Sequence, residues 1–134
     1  MSFDRLPLVV GHRGAAGLAP ENTLQSFALA AELGVDAVEL DVHYVHQKLF
    51  VIHDRRLDRT TSGSGALSDH NLQTLRRFDA GLGQRIPYLE EVFTALPNDI
   101  GINIELKGRG TAAPVVDWLT QQPDRDVLIS SFNL

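Results

Sequence analysis

The chain has 134 residues, 43% of them hydrophobic, which suits one globular domain with a buried core. A net charge of −5 at pH 7 gives no support to a nucleic-acid or anionic-membrane role. The lack of cysteine excludes disulfides, zinc–thiolate centres and cysteine nucleophiles, and no apolar run is long enough to span a membrane as a helix. The N-terminus, Met1-Ser2-Phe3-Asp4-Arg5, has no apolar signal core, so the expected setting is the cytoplasm.

In chain order, Leu6 to His12 reads as a short buried strand. A loop from Gly14 to Pro20 follows. Asn22 or Thr23 can then cap a helix carrying Leu24, Phe27, Ala28, Ala31 and Leu33, which Gly34 ends. Asp36 to Tyr44 is the second strand and Leu49 to Ile52 the third. About seven residues separate them, fewer than the dozen or more a parallel crossover needs. A tight antiparallel reversal around His46-Gln47-Lys48 is therefore expected, with Asp41 roughly opposite His53. Arg55 to Gly65 is a polar surface loop over the rim. It lacks the lysine and spacing of a P-loop. Ser68 caps a short helix with Leu72, Leu75 and Phe78 on one face, and Pro87 to Leu96 is another helix. Ile100 to Lys107 is the fourth strand, Pro114 to Gln122 a helix on which Trp118 packs inward, and Val127 to Phe132 the fifth strand. Strands and helices largely alternate in one domain, without internal repeats.

Polar residues close these strands: Gly11-His12-Arg13-Gly14, Glu39-Leu40-Asp41, His53-Asp54 and Glu105-Leu106-Lys107. Strand ends of this kind are where a β/α barrel keeps its active site. Glu39 and Asp41 stand two apart and share a face, as do Glu105 and Lys107. Adjacent carboxylates repel unless a cation lies between them, and oxygen ligands suit Mg²⁺ or Ca²⁺. Glu105 can complete the set, while Lys107 and Arg13 offer charge to phosphate oxygens. His12 and His53, each beside a charged neighbour, read as an acid–base couple. His43 shares parity with Asp41 and can line the site, whereas His46 and His70 read as solvated. The constellation suits metal-assisted phosphoryl chemistry. No Gly-x-Ser-x-Gly elbow for a hydroxyl nucleophile occurs.

The ordered series Gly11-His12-Arg13-Gly14, Pro20-Glu21-Asn22-Thr23, Glu39-Leu40-Asp41-Val42, His53-Asp54, Leu57-Asp58-Arg59-Thr60-Thr61, Ile86-Pro87-Tyr88-Leu89-Glu90-Glu91-Val92 and Ile104-Glu105-Leu106-Lys107 resembles the glycerophosphodiester phosphodiesterase family. The resemblance implies an α/β fold, a TIM (β/α)8-barrel of the PLC-like phosphodiesterase type. The implied activity is metal-dependent hydrolysis of glycerophosphodiesters, in lipid metabolism, to glycerol 3-phosphate and an alcohol. By position, His12 and His53 become the acid–base pair. Glu39, Asp41 and Glu105 become the ligands of a divalent ion (Mg²⁺ or Ca²⁺), and Arg13 and Lys107 the phosphate ligands. Two departures concern local chemistry: Tyr44-Val45-His46-Gln47-Lys48 stands where the family carries a threonine and an Asp-Gly turn, and Tyr88 replaces threonine. A third concerns length. A complete barrel takes about 250 residues, so residues 1–134 are expected to be the N-terminal portion of a single domain, ending at about the fifth strand. Open strand edges then invite self-association. The competing readings are a half-barrel that only binds metal or partner chains, and a related phospholipase-type barrel. The latter calls for apolar membrane-facing loops, where this chain has polar ones.

Overall fold

Strands β1 (Val10–His12), β2 (Ala37–Val45), β4 (Gly101–Leu106) and β5 (Val127–Ser130) pair side by side in that order, all parallel, in a computed structural model that describes residues 8–131. Strand β3 (Lys48–Val51) leaves this arc and runs antiparallel to β2. All five expected strands are thus present in one sheet, four forming the parallel wall and the third a branch. Helices α1 (Leu24–Glu32), α3 (Leu89–Ala95) and α4 (Ala112–Leu119) provide the crossovers, and α2 (Leu72–Leu75) is a single turn.

Side-chain alternation separates the two faces of the wall. Val38, Leu40 and Val42 of β2, with Ile102 and Ile104 of β4, are fully buried in a cluster with Phe27 and Ala30 of α1, Leu89 and Val92 of α3, and Val115 of α4. Each such aliphatic side chain contributes about 1.5–3 kcal/mol by leaving water. Trp118 packs inward as expected, edge-on to Phe93 with ring centroids 4.7 Å apart. The opposite parity carries Glu39, Asp41, Asn103 and Glu105. The helices thus fix the wall from its apolar side and leave its polar side for chemistry.

The stretch from β3 to β4 builds a second core from Phe50, Ile52, Leu57, Leu67, Leu75, Ala80 and Ile86. The expected polar loop over 55–65 is therefore anchored by Leu57 beneath it. Asn71, not Ser68, caps α2, its side chain accepting from the Thr74 N–H. Ser68 lies instead in a separate 3₁₀ turn, Leu67–Asp69, and Phe78 falls beyond α2. Thr23 rather than Asn22 caps α1, accepting from the Ser26 N–H, and Gly34 follows the helix at φ +80° as a left-handed terminator. Glu91 reaches back to the Tyr88 N–H at the start of α3 and takes both arms of Arg76.

Two expectations about the strands change. The described part of the first strand is exposed, with Val9 at 59% and Val10 at 45%, because among the described residues β1 pairs only with β2 and forms a sheet edge. Its expected start at Leu6 and the expected end of β5 at Phe132 lie outside the described residues. The reversal turns on His46 and Gln47, both at positive φ, between the paired Val45 and Lys48. That register sets Ile52 opposite Asp41, its N–H bonded to the Asp41 carbonyl at 3.0 Å, and moves His53 one position beyond. A two-residue turn has this effect where a longer one would have shifted the pairing.

Candidate active site and metal centre

The acidic centre arises from register. In the parallel pairing Asp41 lies opposite Glu105, and His12 opposite Glu39. One carboxylate oxygen each from Glu39, Asp41 and Glu105 falls within 4.8 Å of the others. Asp41 is fully buried and Glu39 9% exposed, so water relieves little of their repulsion. Burial, then the charge of Asp41, pushes the Glu39 carboxyl up to about 8. Burial works the same way on Glu105, but the hydrogen bond from Lys107 Nζ to its Oε1 at 2.9 Å helps to hold it below the usual carboxylate range. Asp41 Oδ1 is buried with no hydrogen-bond partner, and Lys107 Nζ stands 3.9 Å from it. A surplus of buried carboxylate oxygen and one unused lone-pair site fit a hard divalent cation held by Glu39, Asp41 and Glu105.

The loop from β1 to α1 wraps this centre. Gly11 and Gly14 are required for close approach: a Cβ on Gly11 would stand 2.4 Å from the Gly14 carbonyl oxygen, and one on Gly14 2.4 Å from Ser26 Oγ. The Arg13 carbonyl accepts from Asn22 N–H and Ser26 Oγ, which closes the loop. Arg13 donates its N–H to Glu39 Oε1 at 3.2 Å and an arm of its guanidinium to Glu21 at 3.1 Å, with Nε 3.4 Å from Asp41 Oδ2. His12 is largely exposed, its Nε2 3.7 Å from Glu39 Oε1.

His53 belongs to a chain of charge that the sequence did not disclose. Its Nδ1 meets Asp54 Oδ1 at 2.7 Å, which places a proton on that nitrogen. Arg59 grips Asp54 through Nε and one terminal nitrogen, at 2.9 and 3.0 Å, and Glu21 through both terminal nitrogens, at the same two distances. Arg13, Glu21, Arg59, Asp54 and His53 thereby form an alternating ladder across the loops. Hydrogen bonding from Arg59 holds the Asp54 carboxyl well below its usual range. For Glu21 burial works upward, but Arg59 and Arg13 together outweigh it and lower the group. His43, a candidate lining residue, is buried and supports His53 from behind, with Nε2–H donating to the His53 carbonyl at 2.9 Å. Desolvation lowers its pKa and keeps it neutral for that task. His46 and His70 bond to backbone carbonyls of His70 and Ser64 in exposed surroundings.

The structure thus gathers Glu39, Asp41, Glu105, Lys107, Arg13 and His12 at adjoining strand ends, and ties His53 to them through the ladder. Glu21, Asn22 and Arg59 were missed as site residues. The motifs that contain them were visible, but the partners of their side chains lie 5 to 38 residues away. No helix among the described residues is long and apolar enough to cross a membrane.

A model described as the glycerophosphoryl diester phosphodiesterase family matches residues 12–133. A glycerophosphodiester phosphodiesterase of Caldanaerobacter subterraneus subsp. tengcongensis is 39% identical over an alignment covering 94% of this chain and 58% of the relative. Among solved structures, a phosphodiesterase of Oleispira antarctica in complex with the product sn-glycerol-3-phosphate matches with a TM-score of 0.89 and 37% identity, over 98% of this chain and 60% of that one. A glycerophosphodiester phosphodiesterase from Thermotoga maritima matches with a TM-score of 0.83 and 34% identity, over 96% and 56% respectively. The chain spans little more than half the length of these relatives, and its parallel wall is a part of their TIM barrel. It belongs to the glycerophosphoryl diester phosphodiesterase family.

Proposed function

We propose that this chain carries the metal- and proton-handling part of a metal-dependent phosphoric diester hydrolase that cleaves glycerophosphodiesters to glycerol 3-phosphate and an alcohol. The observation that carries the reading is the convergence of three carboxylate oxygens within 4.8 Å on adjacent strands, bordered by Arg13 and Lys107. When bound by Glu39, Asp41 and Glu105, Mg²⁺ or Ca²⁺ supplies Lewis-acid polarisation of the phosphoryl group. His12 and His53 form the proton-transfer couple, one accepting a proton from the attacking oxygen (water, or a substrate hydroxyl whose cyclic phosphate water then opens) and the other donating to the leaving alcohol oxygen. Asp54 orients the His53 ring for that exchange through Nδ1. Arg13 and Lys107 are already fixed by carboxylate partners, so they counter charge developing on the phosphoryl oxygens with little rearrangement. A small soluble glycerophosphodiester in the cytoplasm fits the polar rim better than a membrane lipid does.

Two exposed edges favour a second property. Among the described residues β1 and β5 end the strand order, and Val9 and Val10 on the β1 side and Leu128 (48% exposed) and Ile129 (43% exposed) on β5 present apolar side chains there. Self-association through these edges would shelter them.

The test is release of glycerol 3-phosphate from glycerophosphocholine by the purified chain with Mg²⁺ or Ca²⁺, with EDTA as control and the mass of the active species measured alongside. EDTA-sensitive turnover that His12→Ala and His53→Ala abolish supports the reading. Folded, metal-loaded protein without turnover confines this chain to metal or partner binding.

A further inference from the structure

We infer that Asn22 is a positioning residue for the metal ligand Asp41, selecting which of its two oxygens faces the ion. The inference rests on the metal-site reading above and extends it into the β1–α1 loop.

Asn22 is 3% exposed and sits at φ +57°, a left-handed conformation that asparagine tolerates better than most residues. Its backbone N–H is bonded to the Arg13 carbonyl, and Thr23 beside it caps α1, so its backbone is held from both sides. From that fixed point Nδ2 donates to Asp41 Oδ2 at 3.0 Å, within a buried pair. Arg13 Nε approaches the same oxygen, at 3.4 Å. The two Asp41 oxygens are thereby made unequal: Oδ2 takes the Asn22 hydrogen bond and lies near the Arg13 charge, while Oδ1 has no hydrogen-bond partner and is left for the cation. This orientation leaves Asn22 Oδ1 buried without a hydrogen-bond partner, but the opposite one would set that oxygen against a carboxylate oxygen, so the donor-first arrangement is the one electrostatics supports. A carboxylate pinned through one oxygen cannot turn away from the ion between binding events, and groups that pin metal ligands in this way are typically worth 10–100-fold in affinity.

Calorimetric titration of the 134-residue chain with MgCl₂ and CaCl₂ tests this. The informative variant is Asn22→Gly, because glycine accepts the positive φ and removes only the amide. Expected is a loss of about 10–100-fold in affinity. Thr23→Ala is the control: it removes the helix cap from the same loop without touching Asp41, and should lower stability while leaving affinity unchanged. Asn22→Gly binding as tightly as the unsubstituted chain overturns the inference, as does an equal loss in Thr23→Ala. A second readout needs no variant. The hydrogen-bonded Asn22 side-chain amide proton, followed by NMR, should persist when Mg²⁺ saturates the site; its disappearance would mean that the amide turns its oxygen inward as a ligand and does not position Asp41. No divalent binding by the unsubstituted chain would remove the metal-site reading itself, and this inference with it.

Discussion

Two charged regions lie side by side in this molecule and behave in opposite ways. The ladder Arg13–Glu21–Arg59–Asp54–His53 alternates sign along its length, and its carboxyls Glu21 and Asp54 are held below their usual range. The centre of Glu39, Asp41 and Glu105 gathers like charges on buried strand ends, and Glu39 is pushed up to about 8. In the first region each charge faces one of opposite sign, which braces the loops that carry Arg13 and His53. The second gathers more carboxylate charge than Lys107 and Arg13 beside it offset, which fits a divalent cation. Position in the fold explains the contrast: loop side chains can swing to find partners, whereas strand residues in register are held where pairing sets them.

Removing a ligand should break the comparison most severely. Asp41→Ala is expected to lower Mg²⁺ and Ca²⁺ affinity by at least about a hundredfold, beyond the loss from a supporting residue, as read by calorimetry. In a full-length barrel, Glu39→Ala should likewise remove metal binding and activity together, and activity surviving with unchanged metal dependence would refute the ligand assignment.

The pH dependence of stability sharpens the contrast by sign. Glu39 holds its proton more tightly folded than unfolded, where its ordinary value is 4.5, so the metal-free chain should lose stability as pH rises from about 4.5 through about 8. Glu21 and Asp54 are depressed when folded, so their contribution is present above their ordinary values of 4.5 and 3.8 and is lost as pH falls through the folded values. Urea unfolding across pH should therefore show a maximum near the lower boundary of the first window. Glu39→Gln should flatten the descending limb alone, and saturating Mg²⁺ at neutral pH should restore stability while releasing protons to the buffer.

How far such outcomes could be foreseen varies with the residue. Strand parity alone put Glu39 with Asp41 and Glu105 with Lys107, and the apolar residues between them marked the covered face. Arg59 stands in a polar loop and in one of the family motifs, but no role for it can be read from the chain, because the carboxylates it grips are 5 and 38 residues away. Arg59→Leu removes both partners from the ladder. Since its side chain is half-exposed, a loss of only about 1 kcal/mol is expected in urea unfolding, shrinking further at high salt.

The smallest effect belongs to the turn that sets the β2–β3 register. Gln47 occupies positive φ at +61°, a region that costs most L-residues about 1–2 kcal/mol, so Gln47→Gly should stabilise the chain by up to about 1 kcal/mol after the entropy of glycine is counted. A destabilised variant would show that the Gln47 side chain contributes more than the turn geometry does.

By itself the sequence determined which elements form, their order and the residue types gathered at the strand ends. These follow from local physics: alternation along strands, glycine where a side chain cannot fit, a hydroxyl at a helix start, and carboxylates two residues apart on one face. The tertiary structure decided what those residues do to one another. Only parallel register brings Asp41 opposite Glu105, 64 residues later, and only the closed β1–α1 loop presents Asn22 to Asp41 and Glu21 to Arg59. A hairpin slipped by one residue turned the expected partner of Asp41 from His53 into Ile52. Such pairings are settled by long-range packing of the whole wall, and no local property of the chain encodes them.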